Sequence, residues 1–289
     1  MKAFLTESTR HLRASLIRHG WAIGRYSSSA FADRERRYLL QEEVGGESIV
    51  IIASVLPAPE SLFDLLALHR LLADNGAAEI ALVVPYLGYA RQDRPDRKGA
   101  AGIGVMVAEI LRQTEASRLI ACDLHSERIR TALGPSVVEW SALPLFAAAL
   151  AKRPPAVVVS PDAGSVPRAR RLAELLDPRP ELGLIDKVRP RPNVAIARRL
   201  QGDVRGKKVL IIDDMIDTGG TLAEAVRLVF ENGAAAVRIA ATHGIFSGGA
   251  RERLSNLPIS ELLVTNTLPQ TRHPKIRCLD IVPFLPAVW

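Results

Sequence analysis

The sequence has 289 residues, which is long for one hydrophobic core, so two domains are expected. With 48% hydrophobic and 24% charged residues it is typical of a soluble globular protein. Its apolar runs, such as IALVV, stop at about five residues, far short of the roughly 20 that a membrane span requires. Cys122 and Cys278 lie too far apart for metal spacing, and MKAFLTESTR reaches charged residues too early for a signal peptide, so a reduced, cytoplasmic protein is expected.

The net charge of +7 admits two kinds of partner, a nucleic acid or a small phosphorylated ligand. Aromatic residues make up only 5% of the sequence, and no helix-turn-helix, zinc or RNA-binding signature is present. Much of the basic charge lies in RERR, ARQDRPDRKG and DKVRPRPN, which have the composition of loops beside strands. We therefore expect a small phosphorylated molecule as the partner, with no nucleic acid and no membrane.

Short β-branched runs alternate with longer amphipathic stretches along the chain. Strands are predicted, in chain order, at 48–53, 80–84, 118–123, 155–160, 182–186, 208–213, 236–242 and 261–266. Helices are predicted between them at 60–77, 102–114, 168–176 and 221–234. This alternation is typical of an α/β protein with mostly parallel sheets that have helices on both faces. A further helix within 141–155 leads from one sheet toward the next, so domains of 1–142 and 143–289 are expected.

The stretch VLIIDDMIDTGGTL, residues 209–222, joins a buried strand to a helix through three carboxylates and a Thr-Gly-Gly-Thr turn. Two adjacent glycines let backbone amides approach an anion closely, and the following helix N-terminus adds free N–H groups. Asp213 and Asp214 then suit the vicinal hydroxyls of a ribose, or a Mg²⁺ ion that bridges to them. The competing interpretation is a capped helix with surface acids, but a cap needs one aspartate rather than three.

The segment DKVRPRPN carries Lys187 and Arg189 at alternate positions ahead of that strand. From the residues alone, a solvated basic loop and a mobile loop that closes over a triphosphate both remain open. His125 follows one predicted strand and Asp162 another, which suits ligation of a Mg²⁺–nucleotide complex. A histidine at a strand end is, however, more often a hydrogen-bonded structural residue.

The Asp-Asp-x-x-Asp-Thr-Gly-Gly-Thr stretch resembles the phosphoribosyl-pyrophosphate loop of type I phosphoribosyltransferases and of ribose-phosphate pyrophosphokinases. Further segments resemble the pyrophosphokinases in order and spacing: FADRE (31–35), PYLGYARQDR (85–94), CDLHSE (122–127), VVSPDAGSVPRA (158–169), DKVRPRPNV (186–194) and ATHGIFSGGA (241–250). The resemblance covers nearly the whole chain. It implies two tandem type I phosphoribosyltransferase-like domains, with the ATP side in 1–142 and the ribose 5-phosphate and catalytic loops in 143–289.

The resemblance also implies an activity, transfer of the β,γ-diphosphoryl group of ATP to the anomeric hydroxyl of ribose 5-phosphate with Mg²⁺ as cofactor. It implies catalytic roles for Lys187 and Arg189 and metal ligation by His125 and Asp162. The implied ribose 5-phosphate residues are Asp213, Asp214, Asp217, Thr218, Gly219, Gly220 and Thr221. The implied ATP residues are Phe31, Asp33, Glu35, Arg91, Gln92 and Asp93. Because the loop of Phe31 reaches a neighbouring subunit in the family, a homo-oligomer is implied, a dimer or a larger assembly such as a hexamer.

This sequence departs from the family pattern at two positions. Arg34 stands where the family commonly has glycine, a residue that usually serves a special backbone angle or a close approach. Val188 stands between the two basic residues where the common bacterial form has arginine.

Two alternatives share the fold. A phosphoribosyltransferase that consumes phosphoribosyl pyrophosphate would have a single domain with a base-binding hood, and the ATP-like motifs of the first half argue against it. A non-catalytic regulatory paralogue would be expected to lose Lys187 or Asp213, and both are present. A basic nucleic-acid binder, from a different class, would show a steep salt dependence of its affinity.

Overall fold

The computed structural model of the protein describes residues 1–188 and 197–288, with the backbone alone at 187, 188, 197 and 198. The chain divides into two compact units. The first comprises Met1–Ser141, Thr267–Pro269 and Val282–Trp289, and the second comprises Ala142–Asn266 and Gln270–Ile281. The predicted second domain, 143–289, is continuous, whereas two short C-terminal pieces fold with the first unit.

Hydrogen bonds within the first unit hold these returning pieces. The Ser54 hydroxyl donates to the carbonyl of Thr267 at 3.2 Å. The Arg118 guanidinium donates to the carbonyls of Val288 at 2.9 Å and Ala287 at 3.3 Å. These bonds satisfy polar groups of a chain segment that forms no strand with the first sheet.

The first unit is built on a six-stranded parallel sheet in the order β2-β1-β5-β6-β7-β8. Its elements, with a separate hairpin β3–β4, are β1 Lys2–Leu5, α1 Arg13–Arg18, β2 Ala22–Ile23, β3 Tyr26–Ala30, β4 Arg36–Leu40, β5 Ser48–Ile52, α2 Pro59–Asp74, β6 Glu79–Val84, α3 Ile103–Arg112, β7 Arg118–Cys122, α4 Glu127–Leu133 and β8 Val137–Trp140. Short 3₁₀ helices at Glu7–Leu12 and Val282–Phe284 complete it. Ile51 and Leu82 of the central strands pack with Leu68 of α2 in a fully buried core.

The second unit is built on a seven-stranded sheet in the order β11-β10-β9-β12-β13-β14-β15, parallel except for the edge pair β10–β11. Its elements are α5 Leu143–Leu150, β9 Val157–Ser160, α6 Val166–Leu175, β10 Glu181–Val188, β11 Ala197–Gln201, β12 Lys208–Ile216, α7 Gly220–Glu231, β13 Ala236–Gly244, α8 Ala250–Ser255, β14 Glu261–Thr265 and β15 Ile276–Leu279. Val209, Leu210, Ile211 and Ile212 of β12 are all at most 1% exposed, so this strand is covered on both faces. The predicted α/β class with mostly parallel sheets is confirmed.

The predicted strands and helices all correspond to observed elements, and two predictions about loops are wrong. RERR was expected in a loop, but Arg36 and Arg37 belong to β4. DKVRPRPN was also expected in a loop, but Asp186, Lys187 and Val188 end strand β10 and pair with β11. Strand β4 begins with charged residues and lacks the apolar run from which strands were predicted. Strand β10 was predicted at 182–186, but it continues to Val188 and so takes in the first residues of DKVRPRPN.

The strand that leads to the aspartates is longer than predicted. A strand at 208–213 was expected, but β12 continues to Ile216 because Met215 and Ile216 pair with His243 and Gly244 of β13. Asp213 and Asp214 therefore lie within the strand and not in the loop after it. Strand pairing fixes the direction of both carboxylates more firmly than a loop would.

Within the described ranges 1–188 and 197–288, no helix combines the length and the apolar character that crossing a membrane would demand.

Candidate active site

A tight turn joins β12 to α7 at the carboxyl edge of the second sheet. Gly219 caps the helix with φ of +72°, a left-handed conformation that favours glycine. A Cβ atom at this position would lie 3.1 Å from two carbon atoms of the Leu254 side chain. Thr218, Gly220 and Thr221 around it are exposed. The exposed first turn of α7 therefore offers its free N–H groups and positive dipole end to an anion.

Helix α8 supports this turn from behind. The Arg253 guanidinium donates hydrogen bonds to the carbonyl of Thr218 and, at 3.3 Å, to that of Gly248. Leu254, the next residue, is buried and is the side chain that Gly219 approaches. The sequence segment ATHGIFSGGA pointed toward this region, but the support by Arg253 and Leu254 was not predicted. No local pattern distinguishes them from any other arginine and leucine of a short helix.

The carboxylates at the end of β12 meet the loop after β9. The Ser165 hydroxyl donates to Oδ1 of Asp213 at 2.8 Å, and the amide of Asp214 donates to the same oxygen at 2.9 Å. The Ser165 amide donates to Oδ1 of Asp162 at 3.0 Å. The structure thus gathers Asp162, Asp213 and Asp214 at one edge of the second unit, with Ser165 between them. Ser165 lies in the quoted segment VVSPDAGSVPRA, but sequence analysis gave it no role.

Crowded carboxylates change the protonation of this group. The pKa of Asp213 is raised well above its usual range, chiefly by burial and next by the neighbouring Asp214 carboxylate. Hydrogen bonds from Ser165 and from the Asp214 amide oppose this increase, and Asp162 adds to it. A cation or a hydroxyl donor placed beside these oxygens would relieve the repulsion. The local electrostatics therefore favour a ligand that brings positive charge or hydroxyl groups.

These oxygens suit Mg²⁺ in kind, because Mg²⁺ prefers carboxylate and phosphate oxygen ligands. In the part of the chain that the structure describes, no three His, Cys, Asp or Glu side chains are arranged as a ready metal cage. Mg²⁺ commonly takes one or two protein carboxylates and completes its shell with water and substrate phosphates. The residues therefore fit an ion that enters largely with a phosphorylated substrate.

In the first unit, residues 91–93 lie in the loop after β6 and His125 lies in the loop after β7. Because β6 and β7 are parallel neighbours, both loops leave the same carboxyl edge of the sheet. The first loop is held by bonds from Gln92 N to Tyr89 O at 2.8 Å and from Gly104 N to Gln92 O at 3.0 Å. His125 is exposed and stands just before Ser126, which caps α4. Arg91, Gln92, Asp93 and His125 are thus brought to one edge.

The remaining predicted ATP residues lie at the tip of the hairpin β3–β4, in the loop Phe31–Glu35. The amide of Arg34 donates to the carbonyl of Phe31 and the amide of Phe31 donates to that of Glu35, both at 2.9 Å. Asp33 accepts a bond from the amide of Glu35 at 3.0 Å. Phe31, Asp33 and Glu35 are exposed, so the loop presents a phenyl ring between two acidic side chains.

A buried aspartate fixes the hairpin to α2. Asp64, 8% exposed, accepts a hydrogen bond from the Tyr38 hydroxyl and forms an ion pair with Arg36 at 3.1 Å. The Phe63 ring lies 6.5 Å from that of Tyr38. Among the described residues the hairpin strands pair only with each other, so this contact supplies much of what holds them in place. Sequence analysis missed Asp64, since an aspartate within an amphipathic helix is usually a surface residue.

Two family models match this chain. Residues 1–114 match the N-terminal domain of ribose phosphate pyrophosphokinase, and residues 145–262 match the phosphoribosyl transferase domain. A ribose-phosphate pyrophosphokinase of Oceanobacillus iheyensis is 34% identical over 99% of this chain and 92% of its own length. One from Shewanella oneidensis is 42% identical over 83% of this chain and 77% of its own length.

A solved structure agrees with these matches along the whole fold. The crystal structure of phosphoribosylpyrophosphate synthetase from Mycobacterium smegmatis superposes with a TM-score of 0.88 at 34% identity, covering 98% of this chain and 95% of that one. The chain belongs to the ribose-phosphate pyrophosphokinase family. The family predicted from the motifs is confirmed, and with it the prediction of an enzyme built on two phosphoribosyltransferase-like domains.

The departure from the pyrophosphokinase pattern at Arg34 now has a structural explanation. Arg34 takes φ of +75°, the left-handed conformation for which glycine is suited. In hairpins of this kind, glycine commonly fills such a position after the turn. The chain therefore keeps the backbone path that glycine would give, and the cost of holding an arginine in it is about 1 kcal/mol.

We expect Arg34→Gly to slow hydrogen exchange of the hairpin-tip amides of Phe31 and Glu35. Relief of left-handed strain exceeds the added entropy of glycine in the unfolded chain by about 0.5 kcal/mol. Arg37→Gly, in the neighbouring strand β4, is the matched control and should speed the same exchange, because glycine weakens a strand interior. Faster exchange in both variants would show that Arg34 is not strained.

The two predicted catalytic residues of this pyrophosphokinase lie at the limit of what the structure describes. The backbone of Lys187 pairs with Arg198 in the antiparallel β10–β11 pair of the second unit. Arg189 lies outside the described residues, as does the rest of the segment up to 196. Their catalytic roles therefore remain predictions from the sequence.

Proposed function

We propose that this family member transfers the β,γ-diphosphoryl group of ATP to the anomeric hydroxyl of ribose 5-phosphate, forming phosphoribosyl pyrophosphate and AMP. The observation that carries the proposal is the arrangement at the end of β12, where Asp213 and Asp214 stand next to an exposed glycine turn. A phosphate site and a hydroxyl site lie a few residues apart on one strand–turn–helix unit. A phosphorylated sugar has both of these groups.

Ribose 5-phosphate is assigned to the second unit. Its phosphate accepts hydrogen bonds from the free amides of Gly219, Gly220 and Thr221 and from the hydroxyls of Thr218 and Thr221. Its vicinal hydroxyls donate to Asp213 and Asp214, and Asp217 completes the turn. Support comes from the exposure of Thr218, Gly220 and Thr221 and from the raised pKa of Asp213, which favours a hydroxyl or cationic ligand.

ATP is assigned to residues of the first unit. Arg91 supplies positive charge to the triphosphate, with Gln92 and Asp93 on the same loop, and Phe31 offers a ring face to adenine between Asp33 and Glu35. His125 of the first unit and Asp162 of the second are each proposed as a ligand of Mg²⁺. When bound, Mg²⁺ would neutralise part of the charge of the phosphate groups.

The chemical step needs no covalent intermediate with the protein. The anomeric oxygen of the sugar forms a bond to the β-phosphorus of ATP, and the bond from that phosphorus to the bridging α,β-oxygen breaks. The anomeric hydroxyl loses its proton, and AMP leaves with the bridging oxygen and its electron pair. Lys187 and Arg189 offset the negative charge that develops on the transferred group. This charge stabilisation is the largest contribution of side chains to the chemical step.

We further propose a cytoplasmic homo-oligomer, a dimer or larger. The hairpin tip Phe31–Glu35 is exposed on a loop that reaches a neighbouring subunit in the family. Cys122 and Cys278 form no disulfide, which suits a reducing compartment.

The decisive measurement is the identity of the nucleotide product. AMP should form from ATP only when both ribose 5-phosphate and a divalent ion are present. Ribose, which lacks the 5-phosphate, is the matched control and should give no AMP at the same concentration. ADP as the product would indicate ordinary phosphoryl transfer and contradict the proposal. Release of pyrophosphate from phosphoribosyl pyrophosphate and a free base, without any reaction of ATP, would identify a phosphoribosyltransferase instead.

A further inference from the structure

A cavity lined by charged and apolar residues lies in the second unit, at the amino edge of its sheet. It has a volume of about 380 Å³, within the range of roughly 300–1,000 Å³ that small-molecule sites occupy. Its walls include the first residues of β12 and β14 and the beginning of β13. None of the residues assigned to the sugar phosphate lines it.

Strand register places charged residues on one face at this edge. Lys208 pairs with Ala236 of β13, and Arg238, two residues further along, pairs with Glu261 of β14. Because side chains alternate along a strand, Lys208, Arg238 and Glu261 all project from the same face of the sheet. Arg153, from the segment before β9, joins them in the cavity wall.

The charges of this wall are not balanced. It holds three cations, Arg153, Lys208 and Arg238, against one carboxylate, Glu261. That carboxylate also pairs with Arg277 at 3.7 Å outside the wall. Among the described residues, no acidic side chain forms an ion pair within 4.0 Å with any of these three cations. An anion bound here would form charge-assisted contacts with these cations.

The protein holds the Arg238 side chain in place, so little conformational entropy is lost when this side chain binds a ligand. Its guanidinium donates to the carbonyl of Arg153 at 2.6 Å and is half-buried. Burial lowers the pKa of Arg238 most, Glu261 raises it and the nearby Arg153 lowers it again. A fixed, partly desolvated guanidinium beside a second cation is the arrangement that binds phosphate oxygens strongly. The Ser260 hydroxyl, on the same rim, adds a polar group.

We propose that this cavity is a binding site for a phosphate dianion, either free inorganic phosphate or the terminal phosphoryl group of a small molecule. The site is separate from the sugar-phosphate turn, because Lys208 and Asp213 are five residues, about 17 Å, apart along one extended strand. The three cations and one carboxylate of the wall leave a net charge of +2, which a dianion would balance. Phosphate can bind at this site in the absence of the catalytic reaction.

Isothermal titration of the full-length protein with inorganic phosphate tests the proposal. Lys208→Met should weaken binding at this site by about tenfold, the scale of one charge-assisted contact. Lys207→Met is the matched control, since it removes the same charge from the adjacent residue, whose ammonium instead pairs with Glu181 at 2.8 Å and Asp203 at 3.1 Å. Both variants leave the turn at Gly219 intact, so phosphate bound there contributes equally to the two titrations.

A variant that is expected to strengthen phosphate binding serves as a control for misfolding, because a misfolded protein would not bind more tightly. Glu261→Gln should strengthen phosphate binding several-fold, because it removes the only carboxylate of the wall. Equal isotherms for the wild type, Lys208→Met and Glu261→Gln would overturn the proposal. An equal loss in Lys207→Met and Lys208→Met would also overturn it, since the effect would then be general charge.

A second titrant, glucose 6-phosphate, separates the two sources of the dianion. Binding of inorganic phosphate alone, sensitive to Lys208, identifies the free anion as the ligand. Binding of both with the same sensitivity identifies a terminal phosphoryl group. If neither ligand responds to Lys208, the cavity is not an anion site.

Discussion

Replacement of Gly219 by valine should lower the affinity for ribose 5-phosphate by about 30-fold or more, with ATP affinity nearly unchanged. Valine at φ of +72° is a strong outlier, because a β-branched side chain rarely takes the left-handed conformation. Its Cβ would also meet the buried Leu254 side chain at 3.1 Å. The turn must shift, and the amides that hold the phosphate shift with it. Loss of one charge-assisted bond of about 2 kcal/mol accounts for the expected factor.

Calorimetric titration with ribose 5-phosphate and, separately, with an ATP analogue measures this effect. Gly206→Val is the matched control, because Gly206 also lies in the second unit with φ of +69° but has no atom within 4 Å of an added Cβ. It carries the same backbone strain at the opposite end of β12 and should leave sugar-phosphate affinity unchanged. Equal losses in the two variants would indicate general destabilisation, and no loss in Gly219→Val would place the phosphate site elsewhere.

Replacement of Lys187 by alanine should lower kcat by about 100-fold or more, with a much smaller change in KM for ATP. A cation that contacts the diphosphoryl group more closely in the transition state than in the bound substrate stabilises the transition state more. Removal of one such donor costs roughly 3 kcal/mol of transition-state stabilisation. Initial rates of AMP formation over a range of ATP concentrations give both constants.

Two controls accompany this measurement. Val188→Ala, at the next position, removes no charge and should be nearly silent. Lys207→Ala removes a lysine of the same unit whose ammonium is already paired with Glu181 and Asp203, and kcat should stay within about twofold of the wild type. An increase in KM for ATP with an intact kcat in Lys187→Ala would mean that Lys187 binds substrate and transition state equally well. The catalytic assignment would then be wrong.

These two predictions depend on the sequence to different degrees. The one for Gly219 rests on the left-handed backbone angle of this residue and on its close approach to Leu254. The one for Lys187 rests on the basic residues of DKVRPRPN and on the family resemblance, with strand β10 fixing only where the backbone enters the segment. If both predictions are confirmed, the turn at Gly219 binds the sugar phosphate and the segment after β10 acts in catalysis, as proposed.

The sequence by itself determined the α/β class, because buried parallel strands are apolar on both faces and leave a local pattern that helices interrupt. It also determined the turn of Thr218–Thr221 and the aspartates before it, since a strand, a glycine pair and a helix are all encoded within a few consecutive residues. The same locality explains why the helix boundary at Gly220 was predicted to within one residue, as helix 221–234 against α7.

Only the tertiary structure decided which residues support these groups. Ser165 meets Asp213 across 48 residues of sequence, and Arg253 reaches Thr218 across 35. The hairpin that carries Phe31 was missed because its strands are largely exposed and begin with polar or charged residues, and its anchor Asp64 lies 26 residues from Tyr38. Even the cavity at Lys208 and Arg238 exists only because neighbouring strands align their first residues in register. Contacts between residues distant in the chain leave no periodic pattern in one sequence, so their partners become known only when the sheet has formed.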